Sequence, residues 1–368
     1  MKTSEFIHRM ADGTLSRRRF NQMLAAAGLT AVTVPVVARR ARAEEQAIYF
    51  TWSGYDDPGF FPAYVKKHGA NPNMAIFADE EEGMQKLRAG FVVDVGHPCN
   101  SNVGRWYDAG ILQPIDTSRL SHWPDLFEAL KTLKDAQQQG KQYFVPIDWG
   151  NTSIIYRPDL VELKEESWGL LWDERYKGKL SVNQGAEETC AIAAIVAGAK
   201  DPFHMTDEEI AKVKDLLIKQ KPLLRFYWDT NTTVEGALAA GELVAATGWN
   251  SSIITLRKQG VNVKFMQPKE GILTYCCGLV LAKSAPHIDQ AYDLMDAMTA
   301  PEAGKWLVEQ QGYGHSNKKT FDLVDDKTLA ERGLPKDPTA LLSAGILFQK
   351  NARMDDLNRM FEAVKAGL

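Results

Sequence analysis

The sequence predicts two α/β lobes, each a mainly parallel sheet flanked by helices, joined by hinge strands. From Ala47 onwards, short apolar β-rich runs alternate with helical patterns, which is typical of parallel sheets covered on both faces. Some 325 residues follow a leader-like segment, too many for one ordinary core. Because no low-complexity linker or fixed-period repeat interrupts this part of the chain, extended strands are expected to connect the lobes.

The first half alternates strand and helix three times. "AIYFTW" is followed by a helical pattern from about Gly59, "NMAIFA" by "DEEEGMQKLRAG", and "FVVDVGHP" by "NSNVGRWYDAG". Asp79 is a candidate N-cap for the second helix, and Gly90 is its expected stop. We assign residues 44–147 and 270–318 to lobe 1.

The second half repeats the alternation. "KLSVN" is followed by "ETCAIAAIVAGAK", "LLRFYW" by "TTVEGALAAG" and "LVAATGW" by "SSIITLRKQG", and "VNVKFM" is a further strand. We assign residues 148–269 and 319–368 to lobe 2. In open α/β sheets, ligands bind at the carboxyl ends of the strands, where the following loops converge.

Residues 1–43 have the three parts of an export signal: arginines at 17–19, an apolar run over 23–38 and an Ala-Arg-Ala cleavage pattern at 41–43. The stretch "SRRRF" resembles the twin-arginine signal, which is a receptor-read address. The apolar run is about 16 residues, shorter than the roughly 20 that span a bilayer, so cleavage is favoured over a membrane anchor. We therefore expect export by the twin-arginine translocase and a periplasmic location.

Charge excludes one large class of partners. The full chain has a formal charge of −4, and residues 44–368, with 35 basic and 45 acidic side chains, have a charge of about −10. Nucleic acid is therefore not an expected partner, because phosphate binding needs a basic surface. An acidic protein modestly favours a cationic small ligand, although solubility explains the same charge equally well.

The four cysteines are too few for a disulfide-built scaffold. Cys276 and Cys277 are adjacent, Cys99 and Cys190 are isolated, and the sequence has no C-x-x-C pattern. We therefore expect neither a zinc site nor a cofactor. In an oxidising compartment any close pair can form a disulfide, and the sequence leaves the pairing open.

Aromatic and polar side chains occur together at several predicted strand ends. Aromatic faces attract ammonium groups, and carboxylates supply charge-assisted hydrogen bonds, so together they predict a box for an organic cation. The candidates are Trp52, Ser53, Tyr55, Asp148, Trp149, Trp228, Asp229, Trp249, Asn250 and Tyr275.

These positions also have structural explanations. Asp229 is placed to cap a helix that begins near Thr232. For Asp148, which is next to Trp149, the sequence allows either a packing role or a role in ligand binding. Trp52 is assigned to the ligand because it lies at a strand-to-helix junction, and so is Trp249. Indoles with apolar neighbours are assigned to packing, namely Trp123, Trp168, Trp172 and Trp306.

The sequence has no G-x-S-x-G, H-E-x-x-H or Walker motif. His97-Pro98-Cys99 brings a base near a thiol, but no orienting partner is evident, and we do not expect an enzyme. Two alternatives stay open: a periplasmic hydrolase using Cys99 or a carboxylate pair, and a ferric-ion carrier of similar architecture. The carrier would need paired tyrosines, and no Tyr-Tyr dipeptide occurs.

Four segments resemble, in order and spacing, the spermidine/putrescine-binding proteins of bacterial ABC importers. The resemblance spans about residues 46–318 and implies a type II periplasmic binding protein fold whose lobes close around the ligand by hinge motion. We expect a monomer whose partners are a small amine and an inner-membrane permease. The segments are "TWSGYDDPGFFPAYVKKHG", "SWGLLWDERYKGKLSV", "GWNSSIITLRKQGVNVKFMQPKEG" and "GLVLAKSAPHIDQAYDLMDAMTAPEAGKWLVEQQGYGHSN".

The resemblance implies ligand contacts residue by residue. The family's first-strand aromatics correspond to Trp52 and Tyr55, and the tryptophan of its "Trp-Asn-Gly-Ser" corresponds to Trp249. An acidic residue of its second lobe corresponds to Glu188, and Tyr275 stands where the family often has tryptophan.

Several family positions have different chemistry in this sequence. Where the family has two carboxylates that bind amines, this sequence has Cys277 and Gly185. It has Cys99 where the family has a serine, and Asp148 at a position that is usually apolar or aromatic. Losing two charge partners would leave the amines of a dication unpaired in a desolvated cleft. We therefore predict a ligand smaller than a long polyamine: a γ-aminobutyrate-like amino acid, a betaine-like compound or a short diamine. Arg225 is a candidate for binding a ligand carboxylate.

Overall fold

The computed structural model describes residues 46–339 and 345–368. The predicted export signal lies outside the described residues. The strands are β1 Ile48–Trp52, β2 Asn73–Phe77, β3 Val95–Gly96, β4 Leu112–Gln113, β5 Gln137–Gln138, β6 Lys141–Gln142, β7 Val145–Tyr156, β8 Leu180–Asn183, β9 Leu224–Trp228, β10 Ala245–Trp249, β11 Lys264–Phe265, β12 Leu273–Ala282, β13 Gly314–His315 and β14 Ile346–Leu347. The α-helices are α1 Pro62–His68, α2 Glu80–Arg88, α3 Asn100–Asp108, α4 Glu128–Lys131, α5 Ala186–Val196, α6 Asp207–Gln220, α7 Asn231–Ala239, α8 Asn250–Lys258, α9 Ile288–Met298, α10 Pro301–Gln311, α11 Asp326–Arg332 and α12 Met354–Ala366.

Two parallel groups of strands are joined by a pair of long antiparallel strands. The order is β2-β1-β3-β12-β7-β10-β8-β9. Strand β1 pairs in parallel with β2 and β3, and β8 pairs in parallel with β9 and β10, whereas β7 and β12 pair antiparallel with each other and with their outer neighbours. The two parallel groups form the predicted lobes, and β7 and β12 are the crossing strands between them.

Strand β12 belongs to both lobes. Its first part pairs with β7 from Leu273, and the register shifts between Cys277 and Gly278. Beyond that bulge, β12 pairs with β3 and β4 of lobe 1. The bulge therefore marks the point where the strand passes from one sheet into the other.

Both sheets are covered on two faces, as the continuous apolar strand sequences predict. In β1, Tyr49 packs with α1, α9 and α10, while its neighbour Phe50 packs with α2 and α3 on the opposite face. In β7, Ile154 and Ile155 divide between two clusters of lobe 2 in the same way. Alternate side chains of a strand point to opposite faces, so each sheet has two cores.

The indoles assigned to packing do pack in the interior. Trp168 is fully buried in a lobe 2 core, and the other three are partly buried against core clusters. Those three are Trp123, Trp172 and Trp306.

Helix caps follow the predictions in one case and differ in another. Asp79 caps α2 by accepting a hydrogen bond of 2.8 Å from the N–H of Glu82. Gly90 adopts a left-handed φ of 89° just beyond the end of this helix. Helix α7, in contrast, is capped by Thr230, whose hydroxyl accepts from the N–H of Thr233. The helix begins one residue earlier than predicted, which removes the capping role from Asp229.

The chain beyond β13 divides between the lobes. Phe321 and Leu329 are buried in the same core as Phe50 of β1, so the segment through α11 packs with lobe 1. The predicted boundary assigned this segment to lobe 2. Only after the undescribed residues 340–344 does the chain join lobe 2, where α12 packs on α5 and α6. Among the described residues, no helix combines the length and apolar character needed to cross a bilayer.

Replacing Gly278 by alanine is expected to lower the free energy of unfolding by about 1–3 kcal/mol. A Cβ at this position would overlap the carbonyl oxygen of Val145 and lie 2.7 Å from the ring of Phe144. Denaturant unfolding measures the change. The control is Gly236→Ala on the exposed side of α7, where an added Cβ meets nothing within 4 Å and should stabilise by about 0.5–1 kcal/mol. A Gly278→Ala protein as stable as the wild type would contradict this packing.

Candidate functional site

A cavity of about 140 Å³ lies between the lobes, beside the crossing strands. Its wall includes side chains of both lobes and of β7 and β12, consistent with loops converging at strand ends. Eight of the twelve predicted ligand residues line it: Trp52, Ser53, Tyr55, Cys99, Glu188, Trp249, Tyr275 and Cys277.

The two tryptophans assigned to the ligand meet across the cleft. Trp52 ends β1 in lobe 1, Trp249 ends β10 in lobe 2, and their ring centroids are 6.4 Å apart with the planes at 77°. The Trp52 indole N–H donates to the carbonyl oxygen of His97 at 2.8 Å, and this hydrogen bond fixes the orientation of the ring. Each indole therefore contributes to one aromatic corner of a shared cavity.

Glu188 presents a buried carboxylate to this corner. Its Oε2 accepts hydrogen bonds of 3.0 Å from the Trp249 indole N–H and from the Thr152 hydroxyl. Its Oε1 is buried and has no hydrogen-bond partner among the described residues. Burial raises the pKa of Glu188 to about 6, although the bonds from Trp249 and Thr152 favour the ionised form. Glu188 is thus ionised at neutral pH and lacks a cation.

Three tyrosines form the wall on the side of the crossing strands. The rings of Tyr55 and Tyr313 are parallel at 6.4 Å, and Tyr275 lies edge-on to Tyr313 at 6.2 Å. Burial raises the pKa of Tyr313 to about 12 and those of the other two well above their usual range, so all three phenols are neutral. The Tyr313 and Ser251 hydroxyls are 2.8 Å apart, a hydrogen bond that links the lobes.

A disulfide joins Cys99, just before α3, to Cys277 at the bulge of β12. The sequence left the pairing open, and Cys277 does not pair with the adjacent Cys276. Cys190 and Cys276 are free and buried. The bonded residues are 178 positions apart, so no local pattern could have indicated the pair. Because the Cys99 sulfur is bonded, it provides no thiolate for the hydrolase alternative.

Four predicted ligand residues lie outside the cavity wall. Asp148 and Trp149 point away from the cavity because β7 is buried on both sides: Asp148 accepts a hydrogen bond from the Tyr55 hydroxyl, and Trp149 packs in the core. Arg225 is exposed and ion-paired with Glu242 at 2.7 Å. Asp229 is also exposed, one residue before the true cap of α7.

The structure adds an acidic group that the prediction missed. Asp79, Glu80 and Glu81 follow β2, and Glu187 precedes Glu188 in α5; all line the cavity. The sequence contained a signal for this group, because "DEEEG" follows a predicted strand and ligands bind at the carboxyl ends of strands. Within residues 46–339 and 345–368, no three His, Cys, Asp or Glu side chains are grouped to hold a metal ion.

Among the described residues of the cavity wall, Arg105 is the only lysine or arginine, and its guanidinium already bonds protein groups. Its guanidinium bonds Glu81 at 2.9 Å and Asn102 at 3.0 Å. Burial opposes ionisation of Glu81, but bonds from Arg105, Gln85 and Asn358 outweigh it and hold the pKa of Glu81 below its usual value. The charge of Arg105 also opposes the rise in the pKa values of Glu80 and Glu187, which burial causes.

A two-lobed protein whose crossing strands border a cavity between the lobes has the design of a solute receptor. The family described as bacterial extracellular solute-binding protein matches residues 63–334, and the chain belongs to this family.

Relatives agree with this assignment. The chain is 27% identical over 342 residues to the putrescine/agmatine-binding protein of Pseudomonas aeruginosa, covering 87% of this chain and 90% of that protein. It is 27% identical over 350 residues to the putrescine-binding periplasmic protein PotF of Escherichia coli, covering 89% and 93%. The crystal structure of the spermidine/putrescine ABC transporter substrate-binding protein PotD of Streptococcus pneumoniae superposes with a TM-score of 0.68 at 18% identity, covering 87% and 99%.

The predicted periplasmic binding protein fold is therefore confirmed. The chain is a periplasmic solute-binding protein of an ABC importer, and the relatives and structural neighbours named above are binding proteins.

Changing both Cys99 and Cys277 to serine is expected to lower the free energy of unfolding by about 2–5 kcal/mol, because the disulfide closes a very long loop. Thermal unfolding with and without a reductant measures the effect. The reductant should destabilise the wild type and leave the double variant unchanged. Thiol titration of the unfolded wild type should find two free thiols, those of Cys190 and Cys276. Four thiols before reduction would contradict the bond.

Proposed function

We propose that the cavity binds a small aliphatic amine, with the ammonium group against Glu188 and the alkyl chain along the aromatic wall. The observation that supports this most directly is the unpartnered Oε1 of Glu188 in a wall that also contains two indoles. A buried ionised carboxylate without a partner is costly, and an ammonium N–H supplies both the charge and the hydrogen bond.

The chemistry favours a primary ammonium over a quaternary one. Trp52 and Trp249 attract either type of cation, each ring by about 0.5–2 kcal/mol. Only an ammonium that retains N–H bonds can donate to the free oxygen of Glu188. A betaine-like ligand would leave that oxygen unsatisfied, so we place it below primary amines.

A ligand with a carboxylate is disfavoured for a related reason. Arg225 is on the surface, and Arg105 is already bonded to Glu81. A γ-aminobutyrate-like ligand would have to displace Glu81 to reach a guanidinium. Its carboxylate would also face the acidic group around Glu187, where like charges repel.

Cavity size favours a short chain. A cavity of about 140 Å³ is close to the volume that encloses a guest of about six non-hydrogen atoms. The names of the two relatives, which bind putrescine, support a ligand of the polyamine class. Delivery to the permease would follow closure of the lobes around the amine, because a ligand that contacts both lobes stabilises the closed state. Export by the twin-arginine translocase remains a prediction from the sequence.

A thermal-shift panel tests the ligand class. The panel contains 1,4-diaminobutane, n-butylamine, spermidine, γ-aminobutyrate and glycine betaine. The two short amines are expected to stabilise the protein most, and a ligand at 100 times its dissociation constant adds about 2.7 kcal/mol. Glycine betaine should give the smallest shift. A larger shift with glycine betaine than with n-butylamine would refute the role assigned to Glu188.

The variant Glu188→Gln is expected to weaken n-butylamine binding at least about tenfold, which is about 1.4 kcal/mol. Glutamine keeps an acceptor for Trp249 and Thr152 but removes the charge. Isothermal titration calorimetry measures the affinity. Glu242→Gln, which changes a surface carboxylate paired with Arg225, is the control and should bind as the wild type.

Binding is also expected to depend on pH. Glu188 attracts the ammonium only when ionised, so affinity should be full above its pKa of about 6 and fall as the pH drops through that value. The Glu188→Gln variant should lose this decline between pH 7 and pH 5. An affinity for n-butylamine that is flat across this range in the wild type would contradict the assignment.

A further inference from the structure

Asp148 is a fully buried carboxylate on crossing strand β7, outside the cavity wall. It pairs with Cys277 in the antiparallel ladder of β7 and β12, next to the register shift where β12 passes from one sheet into the other. Its Oδ1 has no hydrogen-bond partner among the described residues. A buried carboxylate with a free oxygen lowers the stability of the fold, so packing alone does not account for this residue.

The other oxygen of Asp148 contacts lobe 1. Asp148 Oδ2 accepts a hydrogen bond from the hydroxyl of Tyr55, which lines the cavity. Burial, followed by the negative charge of Asp148, raises the pKa of Tyr55 well above its usual range, so the phenol keeps the proton that it donates. The Tyr55 ring also lies edge-on to the ring of His97, with the centroids 4.7 Å apart. Two buried polar residues outside the cavity wall therefore hold a ring that forms part of it.

His97 connects the same cluster to Trp52. The ring Nε2 of His97 is 3.6 Å from Asp148 Oδ2, and its Nδ1 is 2.8 Å from the Tyr49 hydroxyl and 2.9 Å from the Thr51 hydroxyl. The tautomer whose Nδ1 accepts from these hydroxyls carries its proton on Nε2, toward Asp148. The carbonyl oxygen of His97 accepts the hydrogen bond of the Trp52 indole. The buried cluster therefore bonds a second aromatic side chain of the cavity wall.

We propose that Asp148 is a positioning residue of the binding site: from the crossing strand it orients Tyr55, and with His97 it fixes the aromatic wall along which the ligand's alkyl chain lies. This inference rests on the proposed binding of an aliphatic amine. Asp148 does not touch the ligand, because it lies outside the cavity wall. Its effect should therefore grow with the length of alkyl chain against the wall, which is greater for n-butylamine than for methylamine.

The test replaces Asp148 by leucine, which has a similar shape and no acceptor, and by asparagine, which keeps an acceptor for the Tyr55 hydroxyl. Asp148→Leu should weaken n-butylamine binding at least about fivefold and methylamine binding less than about twofold. Asp148→Asn should bind both amines within about twofold of the wild type. Titrations followed by tryptophan fluorescence measure the affinities.

Tyr55→Phe removes the other partner of the same hydrogen bond. The double variant with Asp148→Leu should bind n-butylamine within about twofold of either single variant, because all three proteins lack one and the same bond. It removes both partners of the bond and a buried carboxylate, so denaturant unfolding should find it at least as stable as the wild type. Weak binding by a stable protein distinguishes positioning from a merely structural role.

The matched control is Asp94→Asn. Asp94 is also fully buried and outside the cavity wall, and it accepts hydrogen bonds from the backbone N–H groups of Ile48 at 2.7 Å and His287 at 2.6 Å. The variant should lower the free energy of unfolding and leave both affinities unchanged.

NMR spectra of ligand-free protein, isotopically labelled at tyrosine Cζ, test the orientation of the ring directly. The signal that Tyr55→Phe removes belongs to Tyr55. This signal should shift in Asp148→Leu and stay in place in Asp148→Asn.

The outcomes separate the two proposals. An unshifted Tyr55 signal in Asp148→Leu, wild-type affinity for n-butylamine in this variant, or equal weakening of both amines would overturn the positioning role and leave amine binding intact. Failure of wild-type protein to bind n-butylamine would overturn the proposed function instead, and the Tyr55 signal would still decide whether Asp148 orients the ring.

Discussion

The antiparallel pairing of β7 with β12 is the constraint on which the rest of the molecule depends. These two buried strands are the central neighbours in the strand order, and on its outer side each pairs antiparallel with one strand of a parallel group, β10 for β7 and β3 for β12. The ends of β7 and β12 are packed in the cores of the two lobes, and the cleft lies beside the middle of these strands. A small change in twist at the midpoint therefore moves whole lobes as rigid bodies, which is how a hinge closes on a ligand.

The same strands determine which side chains reach the ligand. Every residue of β7 is buried; Thr152 lines the cavity, whereas Asp148 and Trp149 do not. Tyr55 covers Asp148 and places a neutral phenol between that carboxylate and the cavity. The negative charge that faces a guest comes from helix starts instead, in α2 and α5. Acidic side chains at these positions are favoured by the helix dipole even before a cation binds.

Much of this arrangement could be predicted from the sequence, and the failures have common causes. Strand-helix alternation predicts both lobes. Strand-end position selects Trp52 and Trp249, and the family resemblance selects Glu188; all three line the cavity. Asp148, for which the sequence left packing and binding open, lies outside the cavity wall, because period and position do not reveal that a crossing strand is covered on both faces. The Cys99–Cys277 bond depends on β3 and β12 being neighbours, a long-range pairing that local patterns do not encode. Glu80 was overlooked because a run of acidic residues at a helix start has a sufficient local explanation in capping.

The disulfide lies where this sequence differs from the pattern that it resembles, and its Cys99 also contacts Glu80. Where that pattern has a carboxylate at position 277, this chain has a covalent bond to Cys99, and the backbone N–H of Cys99 orients Glu80. The loop before α3 is tied to the crossing strand, so the Cys99 N–H that donates to Glu80 is held in place.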